Sequence, residues 1–458
     1  MTSVWWLRRD LRLADNPALL AAAAEGADAV VALFVVDPAL WGPAGPVRRA
    51  YLQASLRALD AALGGALLVL AGDPEAVVPR VAATAGATGV HVAADFGPYG
   101  ARRDLAVERA LAANGRRLVR TGSPYAVAPP RLRTAGGQPF RVFTPFYRAW
   151  CAHGWRAPAA DPSASLRFVR PPGDSDWPPR KDVPGVRLPA AGEQAALARW
   201  ADFRGGGLAG YAQLRDRADL AGTSALSAAL RWGEIHPRTL LADLGDQRGH
   251  ERFRAELAWR EFHAHVLAAE PRSAREDLRP EMGRMEYARG PDADAAFAAW
   301  AEGRTGFPFV DAGMRQLRRE GWMHNRVRMV VASFLVKDLH QSWQRGAREF
   351  MRWLRDGDLA SNQLSWQWVA GSGTDAAPYF RVFNPVLQGR RHDPEGDYVR
   401  RYVPELGDVP GSAVHEPWLL PGGVPPGYPE RVVDHAAERE EALARFDAVR
   451  RREPRASG

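Results

Sequence analysis

The sequence predicts an α/β domain built on a doubly wound parallel sheet, then a long connector, then a larger all-α domain. Two observations carry this reading. The first 125 residues alternate short apolar runs with amphipathic helical runs, and beyond about residue 192 the periodicity is helical almost to the end. The strand candidates are residues 4–7, 29–36, 66–70, 89–93 and 117–120. Helical patterns at 16–24, 49–63, 74–85 and 98–114 separate them, and such crossovers imply parallel strands. Gly72-Asp73-Pro74 supplies a turn and a helix start with proline in the first turn.

From about residue 123 to 189 proline, glycine and charge dominate, as in Pro171-Pro172-Gly173 and Asp176-Trp177-Pro178-Pro179. That composition predicts a connector draped over the surface, with one short helix at 143–151 placing Tyr147 and Trp150 on one face. Helical runs follow at 251–268, 294–302, 310–320 and 325–340, with no internal repeat. The domain division expected is 1–125, 126–190 and 191–458.

A chain of 458 residues with 46% apolar content can bury two or three cores. No run approaches the roughly 20 apolar residues that span a bilayer, and Val4-Trp5-Trp6-Leu7-Arg8-Arg9-Asp10 reads as a strand entering a charged loop, not a signal peptide. The lone Cys151 excludes an internal disulfide and suits a cytoplasmic location. A net charge of +8 favours a polyanionic partner or an anionic cofactor, although the Ala- and Arg-rich composition offers a second source for it. Sixteen tryptophans exceed what surface chemistry needs and imply an aromatic helical core or an electronic role.

The segment Gly222-Thr223-Ser224-Ala225-Leu226-Ser227 precedes a helical run to Trp232. Its hydroxyls either cap that helix or help to hold an anion, with Tyr211 and Arg215 upstream. The stretch 356–385 places Asp356, Gly357 and Asp358 before Asn362, Trp366 and Trp368, an unusual density of polar groups beside two indoles. Here the chain resembles the photolyase/cryptochrome superfamily, and most of all its class I branch acting on cyclobutane dimers. The resemblance runs through Arg8-Arg9-Asp10-Leu11-Arg12, Asp15-Asn16-Pro17-Ala18-Leu19, Thr223–Ser227, Glu256-Leu257-Ala258-Trp259-Arg260-Glu261-Phe262, Gly321 to Met329, and the stretch 356–385.

The resemblance implies an antenna domain, a helical domain binding FAD, and light-driven repair of pyrimidine dimers in UV-damaged DNA by a monomer. Tyr211, Thr223, Ser224, Ala225, Leu226 and Ser227 would hold the phosphates and ribitol. Arg328 and Asp356 would pair beside the isoalloxazine, with Gly357 and Asp358 near its polar edge. A guanidinium there favours the anionic reduced flavin. Asn362 would face flavin N5, where plant cryptochromes tend to carry Asp. Glu256, Trp259, Asn325, Met329, Trp368 and Gln388 would receive an extruded dimer, whose lost aromaticity lowers the cost of flipping. Relatives that repair the other major pyrimidine photoproduct carry paired histidines after the position of Met323, and Met323-His324-Asn325-Arg326 has no such pair. Arg215, Arg254, Arg260, Arg326, Arg390 and Arg391 would supply the basic footprint for phosphates.

Two departures from the family pattern concern electron and energy transfer. Trp366 and Trp343 match the first two members of a tryptophan relay, but Tyr287 stands where the surface tryptophan is usual, with Trp300 as the alternative. The loop Asp95-Phe96-Gly97-Pro98-Tyr99-Gly100, with Arg48, resembles relatives whose antenna is 8-hydroxy-5-deazaflavin. Methenyltetrahydrofolate, FMN and an empty site are the alternatives.

Overall fold

The computed structural model describes residues 2–25, 29–179, 181–374 and 380–451. Five strands, β1 (Thr2–Leu7), β2 (Ala29–Val36), β3 (Leu68–Ala71), β4 (Gly89–Val92) and β5 (Arg117–Arg120), form one sheet in the order β3-β2-β1-β4-β5. All four pairings are parallel. Alternation explains the continuous apolar runs: Trp5, Leu7, Val30, Ala32 and Phe34 enter one core, while Val4, Trp6, Val31, Leu33 and Val35 enter another on the opposite face. Each face is covered by helices, among them Pro46–Ala62 on one side and Pro74–Thr84 on the other.

The connector runs over this sheet as expected. Near Val30, before the β2–β3 ladder begins at Leu33, it fills the sheet edge: Val30 N–H donates to the Arg167 carbonyl (2.9 Å) and Val169 N–H to that of Val30 (3.0 Å). Its helix Phe143–His153 places the Tyr147 and Trp150 rings 6.3 Å apart. Buried Glu261 ties the connector down, accepting from the Ala126 and Val127 amides and from Trp150 Nε1 (2.7 Å).

Downstream the chain is helical. The long helix Arg248–Ala269 packs against Leu359–Ala370, which also packs against Asn325–Ser333 and Trp343–Trp353. The predicted helix 325–340 is interrupted: after Ser333 the backbone widens into a π turn, Phe334–Asp338, and His340 has a positive φ of 49°. Most tryptophans do serve a core, and Trp300, Trp343 and Trp366 share one aromatic cluster. The part of the 356–385 motif at 375–379 lies outside the described residues.

Candidate functional site

Helix Leu359–Ala370 is the axis of the site. Asp358 caps it, Oδ1 accepting from Ser361 N–H (3.0 Å). Just upstream, Arg328 Nη2 donates to Asp356 Oδ2 (2.8 Å), and Arg328 Nε donates to the Met323 carbonyl (2.8 Å). The Asp356 side chain is only 2% exposed, and its Oδ1 is buried without a partner among the described residues. Such an atom marks a place for a donor from a bound group. Asn362, one turn into the helix, donates from Nδ2 to the Ala347 carbonyl (3.2 Å) and Gln363 Oε1 (2.7 Å), which leaves Oδ1 as its remaining acceptor.

Helical capping is not what the hydroxyl cluster does. The N-cap of Ser227–Trp232 is Leu226, with no side-chain bond. Ser224 Oγ instead accepts from Leu226 N–H (3.4 Å), around an Ala225 held at φ 50°, while Ser227 Oγ accepts from Trp322 Nε1 (3.2 Å). Thr223 and Ser224 are half-buried. Tyr211 is buried against Phe203 and Phe253, and the Arg215 guanidinium lies 5.6 Å from its ring centre. Arg215 also pairs with Glu256, so Glu256 is not spent on Arg260 one turn along its own helix.

Arg260 corrects the expected phosphate footprint. Its guanidinium donates to the carbonyls of Pro124 (3.0 Å) and Leu230 (3.1 Å) and lies 4.9 Å from the Tyr125 ring centre, inside the seam between sheet and helices. Other members of the footprint have protein partners: Arg326 pairs with Asp216 (2.9 Å), Arg390 with Glu416, and Arg254 with the Leu244 and Gly245 carbonyls. Arg391 is exposed. Asn325 is exposed as well, whereas Met329, Trp368 and Gln388 are half-buried. One face of Trp259 is occupied, since its ring stacks on Phe143 at 3.7 Å and 6°.

Asp358 turns towards the seam as well. Its Oδ2 bonds Arg9 Nη2 (2.6 Å) and lies 4.0 Å from Arg231 Nε. Burial alone would raise this carboxyl, but Arg9, Arg231 and Arg260 hold it well below the usual carboxylate range. Arg9 belongs to the Arg8-Arg9-Asp10 motif, yet its partner, 349 positions along the chain, was not legible from local sequence.

Also at the seam is a cavity of about 310 Å³. Trp6, Phe34, Leu52, Trp232 and Met351 give it apolar walls; Arg48, Arg103, Arg231 and Asp95 also line it. Burial pulls the Arg48 guanidinium down to about 10, with Asp356 acting in the opposite sense. Arg231 is pulled down to about 9, by burial first and then by Arg9. A Cβ on Gly357 would push Arg48 Nη1 from its place on the cavity wall and crowd the Leu354 carbonyl. Asp37, which accepts from the Tyr99 hydroxyl (2.6 Å), lines the cavity as well.

In the relay region a Cβ on Gly346 would overlap the Trp366 ring, so the helix starting at Trp343 packs directly on that indole. Trp300 cannot be a surface terminus: it is 0% exposed, with Nε1 donating to the Val331 carbonyl (3.1 Å), although its ring lies 6.3 Å from Trp366. Tyr287 is half-buried and lines a surface pocket with His340 and Arg445.

Comparison with known proteins agrees with this architecture. The FAD binding domain of DNA photolyase matches residues 253–448, and the DNA photolyase domain matches residues 3–164. The deoxyribodipyrimidine photo-lyase of Streptomyces griseus is 46% identical, covering 96% of this chain and 97% of its own. That of Escherichia coli is 38% identical over 98% and 99%. Among solved structures, a bacterial class III photolyase from Agrobacterium tumefaciens superposes with a TM-score of 0.88 at 37% identity, covering 98% of each chain. A Synechocystis cryptochrome gives the same TM-score at 29% identity, covering 97% of this chain and 98% of its own. Fold alone therefore does not separate a photolyase from a cryptochrome, but both domain matches and 46% identity over nearly the whole length place this chain in the DNA photolyase family.

Proposed function

We propose that this chain is a light-driven DNA repair enzyme that splits cyclobutane pyrimidine dimers, with FAD in its helical part and 8-hydroxy-5-deazaflavin in the seam cavity. The observation that carries the reading is the Arg328–Asp356 pair, whose buried carboxylate keeps one oxygen unpartnered among the described residues just before the helix bearing Asn362, Trp366 and Trp368. When bound and reduced, FAD supplies on excitation the electron that opens the cyclobutane ring and afterwards receives it back.

The residues present fit that group. Arg328 would balance its negative charge, Asp356 Oδ1 would be free to accept from a ring N–H, and Asn362 Oδ1 would offer a second acceptor without adding charge. Tyr211 and the segment Thr223–Ser227 hold its phosphates and ribitol. Trp368 and the open face of Trp259 enclose the extruded dimer, while Asn325, Met329 and Gln388 line the approach. Glu256, held by Arg215, accepts from the imide N–H of the lesion. Proton donation from His324 is not needed for ring opening, and burial pulls this histidine down to about 4, leaving it neutral. Its Nδ1 already accepts from Arg326 N–H (3.2 Å).

The +8 charge supports binding of phosphates, whether of single- or double-stranded DNA. The seam cavity suits a planar, anionic chromophore, since its apolar walls enclose Arg48 and Arg231, both drawn below their ordinary values by desolvation. We read the protein as a cytoplasmic monomer, in keeping with its single exposed thiol, Cys151.

The decisive experiment records the absorption spectrum of the purified protein and then follows loss of dimers from irradiated DNA in light and in darkness. Light-dependent loss by a flavin-bearing protein is expected. Dimers that persist in light would turn the reading towards a cryptochrome-type sensor.

A further inference from the structure

We propose that Asp277 is the proton acceptor of Trp343 in the electron relay, so that an oxidised centre arriving there is trapped by loss of the indole proton. The inference rests on the reading of this chain as a flavoprotein that draws electrons through Trp366 and Trp343. Three buried indoles share the core around the site, and their N–H groups meet different surroundings. Trp366 is 2% exposed and its Nε1 is buried without a hydrogen-bond partner among the described residues. Trp300 donates to the Val331 carbonyl, an amide oxygen that is not a base at neutral pH. Trp343, 0% exposed, donates from Nε1 to Asp277 Oδ1 at 2.8 Å. Only this third N–H rests on a group able to take its proton.

The consequence follows from charge in a low-dielectric interior. A buried radical cation with no base must keep its charge and pass the oxidation on, which is the situation of Trp366. An oxidised indole is far more acidic than a neutral one. At Trp343 transfer along an existing hydrogen bond converts a buried cation and a carboxylate into two neutral groups. Asp277 is only half-buried and so connects the proton to solvent. Its carboxylate also faces Tyr287, whose phenol is pushed up by burial and then by Asp277. A charged acceptor therefore stands between the second indole and the residue that replaces the usual surface tryptophan.

The step balances as follows. The oxidant, photoexcited oxidised flavin, removes one electron from Trp366, and one electron from Trp343 refills it. The Nε1–H bond of Trp343 then breaks; its electron pair stays on nitrogen and its proton goes to Asp277. A neutral tryptophanyl radical and a carboxylic acid result. An external reductant, acting directly or through Tyr287, restores the electron, and Asp277 returns the proton.

Transient absorption after flash excitation of the flavin-loaded, oxidised protein, in light and heavy water, tests this. The unaltered protein should show a tryptophan radical cation converting to the neutral radical, more slowly in heavy water. Asp277→Asn keeps a hydrogen-bond acceptor but removes the base, and should slow that conversion by about 100-fold. Asp277→Glu should restore it. Conversion at an unchanged rate in Asp277→Asn overturns the inference, as does slow conversion in both variants, which would make Asp277 a packing residue. A protein that binds flavin and repairs dimers, yet forms no tryptophan radical after the flash, overturns this inference alone. Absence of bound flavin overturns the functional reading beneath it.

Discussion

Arg328 and Asp356 form an asymmetric pair: the arginine side chain is 25% exposed and the aspartate 2%. Removing the cation strands a buried carboxylate, and Arg48 and Arg355, which also act on it, are themselves drawn below their ordinary values by burial. Arg328→Ala should therefore cost roughly 3 kcal/mol of stability and impair flavin retention, read by thermal melting and by flavin content after gel filtration. Normal values for both would remove the pair from the site. The two proposed walls of the lesion pocket differ in a similar way. Trp368→Ala should weaken binding to dimer-bearing DNA by roughly 5- to 150-fold in the dark, at about 1–3 kcal/mol of stacking, and leave undamaged DNA unaffected. Trp259→Ala should add a loss of fold stability, because its other face stacks on Phe143 at 3.7 Å. Equal weakening for both DNAs would reduce Trp368 to a packing role.

At the scale of elements, the segment Phe334–Asp338 and the helix His435–Arg451 are joined by two histidine–carboxylate contacts, His435–Asp338 (2.5 Å) and His340–Glu438 (2.7 Å). Beside them Lys337 is buried, donating to the Arg381 carbonyl with its ammonium 4.1 Å from the Phe380 ring centre. Burial pulls Lys337 down to about 7, well below its unfolded value. Above pH 7 the unfolded chain still binds the proton that the folded chain has lost, so stability rises with pH. It should increase by roughly 2–3 kcal/mol between pH 7 and 9, and be lost as pH falls through 7. Melting curves across that window should show the rise, and Lys337→Met should flatten it; an unchanged slope in the variant would refute the assignment. None of this was legible in the sequence, where 325–340 reads as one helix and Lys337 as an ordinary cation. The strands were legible for the opposite reason. A strand buried on both faces must be apolar at every position, as 29–36 is, and that pattern needs no knowledge of its neighbours. The site was legible in part: Asp356, Asn362 and Trp366 lie close together in sequence, while the direction of Arg260 depends on a carbonyl 136 positions away.

For the whole molecule the seam between sheet and helices matters most, because the cavity proposed for the antenna and the polar groups proposed to lie beside the flavin both belong to it. Arg9 crosses it to Asp358, Tyr51 crosses it to Glu234 (2.9 Å), and Arg48 reaches from a helix of the sheet domain to the Met351 sulfur (3.7 Å). Arg48 is thus on the cavity wall and within the field of Asp356. A bound chromophore with a negative charge would favour the charged form of this guanidinium against the cost of its burial. Arg48→Leu keeps much of the volume and removes the charge. It should deplete the second chromophore while FAD content and repair by light absorbed directly in the flavin persist. The measurement is the chromophore content of denatured protein by mass spectrometry, followed by the action spectrum of repair. The antenna contribution should disappear from that spectrum and the flavin contribution remain. Loss of FAD together with the antenna would mean that Arg48 acts chiefly through Asp356, and that the seam is one electrostatic unit instead of two neighbouring sites.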